Sequence, residues 1–118
     1  MTNETPPMSR DSPSPSDRDH GPQPLDNLLS RWGLTNAQLV AAASEQLTHK
    51  QVQRARKGRQ LTLRMMMKLA RNLNEVIAEN LPEEKRKEFT PYVHRDLFTY
   101  AKGYDASRPD PNAALTES

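Results

Sequence analysis

The sequence predicts an all-α protein, a compact bundle of four to six helices, on three observations. The dipeptide Leu-Thr recurs at Leu34-Thr35, Leu47-Thr48 and Leu61-Thr62, each time setting a helix-capping hydroxyl directly after an apolar side chain. Gly33, Gly58 and Gly103 fall where a left-handed residue would end a helix, and Asn74 is the next best choice for that conformation. No segment alternates apolar and polar residues with the β-branched enrichment a strand requires. With 118 residues, 34% of them apolar, the chain supports one modest core and no second domain.

Residues 1–24 hold six of the ten prolines and four serines, with only Met1 and Met8 as sizeable apolar groups. Such composition does not offset the entropy of ordering, so the segment is expected to be a disordered Pro/Ser-rich tail. Its Ser-Pro pairs at Ser12 and Ser14 are of a kind that can be phosphorylated, although such pairs are common in tails of this composition. Residues 105–118 are expected to form a second disordered tail for the same reason.

Between the tails, residues 25–104 are expected to form one helical domain. A first helix spans about 25–32 and stops at Gly33. A second, about 36–45, starts at Thr35, where Gln38 completes a capping box and Leu34 and Leu39 have the spacing of a hydrophobic staple. A third, 49–57, repeats the device with Thr48, Gln51, Leu47 and Val52 and ends at Gly58. A fourth, 63–73, carries Leu63, Met66, Met67, Ala70 and Leu73 at the three-and-four spacing of a buried stripe, which makes its three consecutive methionines core filling rather than a metal site. Beyond Asn74, Pro82 with Glu83 and Glu84 suits a helical first turn through Phe89, and Pro91 begins a segment to Tyr100. Five of the six aromatic residues, Phe89, Tyr92, Phe98, Tyr100 and Tyr104, lie in this last part and are expected to close the core with Trp32.

The charge distribution points to function. Net charge is only +2, yet no Asp or Glu occurs between Glu45 and Glu75, a span holding eight cations: Lys50, Arg54, Arg56, Lys57, Arg59, Arg64, Lys68 and Arg71. The remainder of the chain is at −6. Turning the third helix by about 100° per residue with Val52 inward places Ala55 and Arg56 toward the buried side. Lys50, Arg54 and Lys57 then share the opposite face, with His49 and Gln53 beside them. Lys50 and Arg54 are four residues apart, a like-charge pairing that costs an isolated helix about 0.2–0.5 kcal/mol. A solvated face normally mixes signs, whereas this one would be completed by a polyanion, and the interleaved glutamines can pair with adenine edges or phosphate oxygens.

Single-strand binders stack bases on aromatic rings, and none occurs from Gly33 to Glu88. The basic helix also lacks the broad apolar face that enters lipid headgroups. Double-stranded DNA is therefore the expected partner, with structured RNA second.

The run LTNAQLVAAASEQLTHKQVQRARKGRQLTLRMMMKLARNLN resembles the lambda-repressor-like (Xre-type, phage-repressor) helix-turn-helix DNA-binding domain, the likeness covering Leu25 to Asn74. The resemblance implies that His49, Lys50 and Arg54 face base edges, to which the helical geometry adds Gln53. It implies further that Thr48 and Gln51 sit near phosphates and that Lys57, Arg59 and Arg64 grip the backbone. The turn between the second and third helices is about two residues longer than is usual in that family, and "ASEQ" replaces its glycine. Arg56 stands where the family often has Glu, which would add charge toward DNA.

These features suggest a small cytoplasmic, nucleoid-associated transcription regulator. A homodimer through the region after Val76 is expected, because such domains commonly pair outside their DNA face. The rival is a helical protein-interaction module, antitoxin-like or an adaptor. Catalysis is not expected, since His94 and Asp96 would point to different sides of a helix and no nucleophile has a base beside it. Without cysteine and with only His20, His49 and His94, neither a metal nor another cofactor is expected, and no apolar run is long enough for a membrane span.

Overall fold

Each Leu-Thr pair starts a helix in the computed structural model, which describes residues 19–116. The Thr35, Thr48 and Thr62 hydroxyls accept from the backbone N–H of Gln38, Gln51 and Met65 at 3.1, 3.1 and 3.2 Å. In the first two cases the glutamine Oε1 also accepts from the threonine N–H, closing both capping boxes. Residues 1–18, with Ser12 and Ser14, lie outside the described part.

Among the described residues there are seven helices and no strand, the sole extended pairing being a bridge between Asp19 and Arg59. They are α1 (Pro24–Arg31), α2 (Asn36–Ala42), α3 (His49–Lys57), α4 (Leu63–Asn80), α5 (Glu83–Arg86), α6 (His94–Leu97) and α7 (Ala113–Thr116), of which the last three are single turns. The expected range of four to six is exceeded by these short turns. α2 packs against α3 and α4, α1 against α3 and α6, and α4 against α6. Leu25, Leu29, Leu39, Val52, Ala55, Leu69, Leu73, Leu97 and Phe98 meet in the centre, fully enclosed.

Several helix ends differ from expectation: α5 ends at Arg86, short of Phe89, and α6 ends at Leu97, short of Tyr100, so that Gly103 closes no helix. α2 stops at Ala42 instead of continuing to 45, because the chain after Ala43 is drawn across α4: Ser44 Oγ donates to the Glu75 carboxylate at 2.8 Å and Glu45 accepts from Arg71. α4 continues through Asn74 to Asn80. Asn74 is not a left-handed stop; its side chain pairs with both backbone groups of Tyr92 at 2.8 Å, while Val76 and Ile77 prolong the buried stripe. The helix ends at Leu81, whose extended backbone is what the following Pro82 favours.

Both expected tails are partly ordered. Gln23 is buried, and its Oε1 accepts from the Thr99 N–H at 2.7 Å while its Nε2 donates to Gly21 O at 2.9 Å. At the other end Asp110 binds Arg31 at 2.8 Å and accepts from Tyr92 Oη at 2.7 Å. Buried Asn112 pairs with Thr90 N–H and C=O at 2.7 and 2.8 Å, and Arg108 meets Asp96 at 3.1 Å. Composition alone gives no sign of these anchors, since each is a single polar side chain meeting backbone or charge that is distant in sequence. The aromatic residues close the core as expected: Tyr92 and Phe98 are buried, Trp32 Nε1 donates to Tyr92 Oη at 3.1 Å, and Phe89 stands edge-on to both Trp32 and Tyr92.

Two outcomes follow from this packing. Gly58 has φ +100°, and a Cβ there would meet Gly21 O at 1.8 Å, so Gly58→Ala should lower stability by about 2 kcal/mol or more in urea unfolding. Burial, helped by donation to Asp110, pushes the Tyr92 phenol up to about 12 from 10.0. Between those values the unfolded chain loses a proton that the folded chain retains. Stability should therefore fall as pH rises through that window, and urea midpoints of Tyr92→Phe should lack this part of the loss.

Candidate nucleic-acid interface

The third helix owes its orientation to its apolar positions and to one inward cation. Val52 and Ala55 are fully buried, which turns His49, Lys50, Gln53, Arg54 and Lys57 outward, and all five are exposed. Arg56 does not add charge toward a partner as its position suggested. Its Nε donates to Asp26 Oδ1 on α1 at 2.6 Å and its NH1 to Asn36 Oδ1 on α2 at 2.7 Å. The Arg56 side chain is about four-fifths buried, and this contact locks α3 between the two preceding helices.

The C-terminus of α3 is capped from three directions. Gly58 in the left-handed conformation donates to Arg54 O and Ala55 O, Arg59 N–H donates to Arg54 O, and the incoming N-terminal segment supplies Gln23 N–H to Arg56 O and His20 N–H to Gly58 O. The last-turn carbonyls of Arg54, Ala55 and Arg56, left orphaned by helix geometry, are thereby satisfied. The following turn is pinned as well: Tyr100 Oη donates to Arg59 O at 3.2 Å and accepts from Leu61 N–H at 3.0 Å, and its ring stacks on His20 at 4.3 Å. Burial raises the Tyr100 phenol, keeping this hydroxyl protonated.

Of the residues expected to touch phosphate, Thr48 is exposed at the α3 N-cap and Gln51 is half-buried with its Oε1 taken by the cap, leaving its amide nitrogen outward. Lys57 and Arg59 are exposed at the far end of the same helix and turn. Arg64 lies apart on α4, exposed beside Leu63, Met67, Lys68 and Arg71, with which it lines a shallow groove of about 570 Å³ completed by Glu45. Leu63 and Met67 are 55% and 42% exposed, so the stripe read as core includes two residues that are not. After Val76, by contrast, most apolar side chains face their own core and Val93 is the one large hydrophobic exposed there.

Among the described residues, carboxylates pair with Arg31, Arg56, Arg71 and Arg108, and none pairs with Lys50, Arg54 or Lys57. In the Arg71–Glu45 contact the hydrogen bonds from Arg71 hold the Glu45 carboxyl below its ordinary range. Sequence reasoning missed Asp26 and Asn36 as partners of the helix; the inward lean of Arg56 on the helical wheel was the available signal. Among the described residues no group of three or more His, Asp or Glu is placed to hold a metal ion, and no helix is long and apolar enough to cross a membrane.

No family model, curated protein or solved structure matches the chain.

The two kinds of cation on α3 should separate in a stability measurement. Asp26→Ala, which strands a mostly buried guanidinium, should cost about 1–2 kcal/mol in urea unfolding after allowance for partial exposure. Lys50→Ala or Arg54→Ala should leave stability unchanged or raise it by about 0.2–0.5 kcal/mol, since each relieves like-charge repulsion.

Proposed function

We propose that this protein binds double-stranded DNA in a sequence-specific manner as a small transcription regulator. In this reading α2 and α3 act as a helix-turn-helix of the lambda-repressor-like kind, and α3 enters the major groove. The observation that carries it is the outer face of α3, where Lys50, Arg54 and Lys57 stand exposed with His49 and Gln53. Their charges are unpaired among the described residues, although carboxylates on neighbouring elements neutralise Arg56 and Arg71. Repulsion of this kind is tolerable on a helix whose working state includes a polyanion.

His49, Lys50, Gln53 and Arg54 contact base edges. Thr48, Gln51, Lys57 and Arg59 hold phosphates at the two ends of the helix, with Arg64 reaching the backbone from α4. Arg54, with its planar fork of donors, suits the two acceptors of guanine. A cytoplasmic location follows from this role.

A second reading, a protein-interaction module, is favoured by one observation, the exposure of Leu63 and Met67 among the cations of α4. Duplex DNA has no use for that pair, and a second copy or another protein would cover it.

Titration of a randomised duplex pool by fluorescence anisotropy at several salt concentrations tests the proposal. Neutralising six phosphates gives a slope of log K against log salt of about −5, whereas indifference to salt would favour the interaction module. Sequencing the bound fraction should return a consensus, and enrichment of structured RNA over duplex would replace DNA as the partner. Arg54→Ala should lose about 1–3 kcal/mol mainly on its preferred base, while Lys57→Ala should weaken all sequences alike.

A further inference from the structure

A hydrogen-bond relay crosses three helices and ends on the proposed reading face. Asp26 Oδ1 accepts from Arg56 Nε at 2.6 Å, Arg56 NH1 donates to Asn36 Oδ1 at 2.7 Å, and Asn36 Nδ2 donates to Gln53 Oε1 at 2.8 Å. Amide oxygen and nitrogen are alike in shape, and their assignment usually has to be inferred from their partners. Here the partner decides it. A guanidinium has donors only, so the atom of Asn36 that faces Arg56 must be the oxygen. The Asn36 nitrogen is thereby turned to Gln53, and a nitrogen there would meet another nitrogen unless Gln53 offered its oxygen.

We propose that this relay sets the polarity of Gln53, directing its Nε2 protons outward so that it reads the paired acceptors of guanine in preference to adenine. The inference rests on α3 being the base-reading helix. An amide free to rotate serves adenine with both ends, accepting from N6 and donating to N7. With its oxygen turned to Asn36, Gln53 presents the two protons of Nε2, matched by N7 and O6 of guanine, whereas adenine sets a donor beside its one acceptor. The donors of the relay start at the Arg56 guanidinium, held by the Asp26 carboxylate, and neither group has a part in the reading face, so a fold contact fixes the polarity of recognition.

Selection from a randomised duplex pool with wild type, Gln53→Ala and Asn36→Asp tests this. Gln53→Ala marks the base pair that Gln53 reads, as the position whose preference is lost. At that position wild type should enrich a G·C pair over an A·T pair. Asn36→Asp keeps the shape and still accepts from Arg56, but it offers only acceptors to Gln53, which must then donate inward and turn its oxygen outward. The preference should move to an A·T pair, with the ratio of the two pairs changing roughly tenfold, the size of one good base contact. An unchanged helical spectrum and melting curve show that the variant folds, and its added negative charge lowers affinity for all duplexes without altering the ratio. Adenine at the Gln53 position in wild type, a preference unmoved by Asn36→Asp, or a consensus unmoved by Gln53→Ala overturns the relay while leaving α3 as the reading helix. Enrichment of no duplex overturns the DNA reading itself and the inference with it.

Discussion

The contact between Arg56 and the pair Asp26 and Asn36 is the constraint on which the arrangement of α3 depends. A nine-residue helix with two small buried residues, Val52 and Ala55, has little apolar area with which to fix its rotation. One guanidinium held by a carboxylate on α1 and an amide on α2 supplies the missing specification, because a planar fork with fixed donors tolerates little rotation about the helix axis. With Arg56 inward, the geometry of the helix turns Lys50, Arg54 and Lys57 outward together. The same contact orders a side chain on the exposed face through Asn36, so the interior and the candidate interface are one hydrogen-bonded system.

Polar side chains elsewhere in the molecule do the work of strands. Gln23, Asn74 and Asn112 each bind backbone groups of non-helical segments, at Gly21 and Thr99, at Tyr92 and at Thr90. An extended chain lying on a helical bundle has backbone donors and acceptors with no sheet to receive them, and leaving them buried and unpaired would cost about 1–3 kcal/mol each. An amide side chain presents one donor and one acceptor in the spacing of a peptide group, and so substitutes for the absent neighbouring strand. In this way two proline-rich ends of the domain are tied down without a contribution from large apolar side chains.

The electrostatic layout has a similar economy. Acidic residues sit where a cation must be held to the fold, at Arg31, Arg56, Arg71 and Arg108, and the outer face of α3 receives none of them among the described residues. The N-terminal segment and the Gly58 turn meanwhile hold that face in position, with His20, Tyr100 and Arg59 locked at its C-terminal end. Under the proposed reading, a face held in this way needs little rearrangement to meet an anion.

By itself the sequence determined the all-α class, the three capped helix starts and the outward cations of α3. These are local matters: a threonine hydroxyl reaches its own helix's N–H groups, and a 100° turn per residue decides which side chains share a face. Tertiary structure alone decided that α2 ends at Ala42, that α4 runs past Asn74, that the ends are anchored from Asp19 and through Asn112, and that Arg56 belongs to the fold and not to the interface. Each of these depends on one polar group meeting another brought close only by folding, Ser44 with Glu75, Asn74 with Tyr92, Asp110 with Arg31, Asp26 with Arg56. Such pairs carry no periodicity and no fixed spacing along the chain, and so they become legible only once the helices have packed.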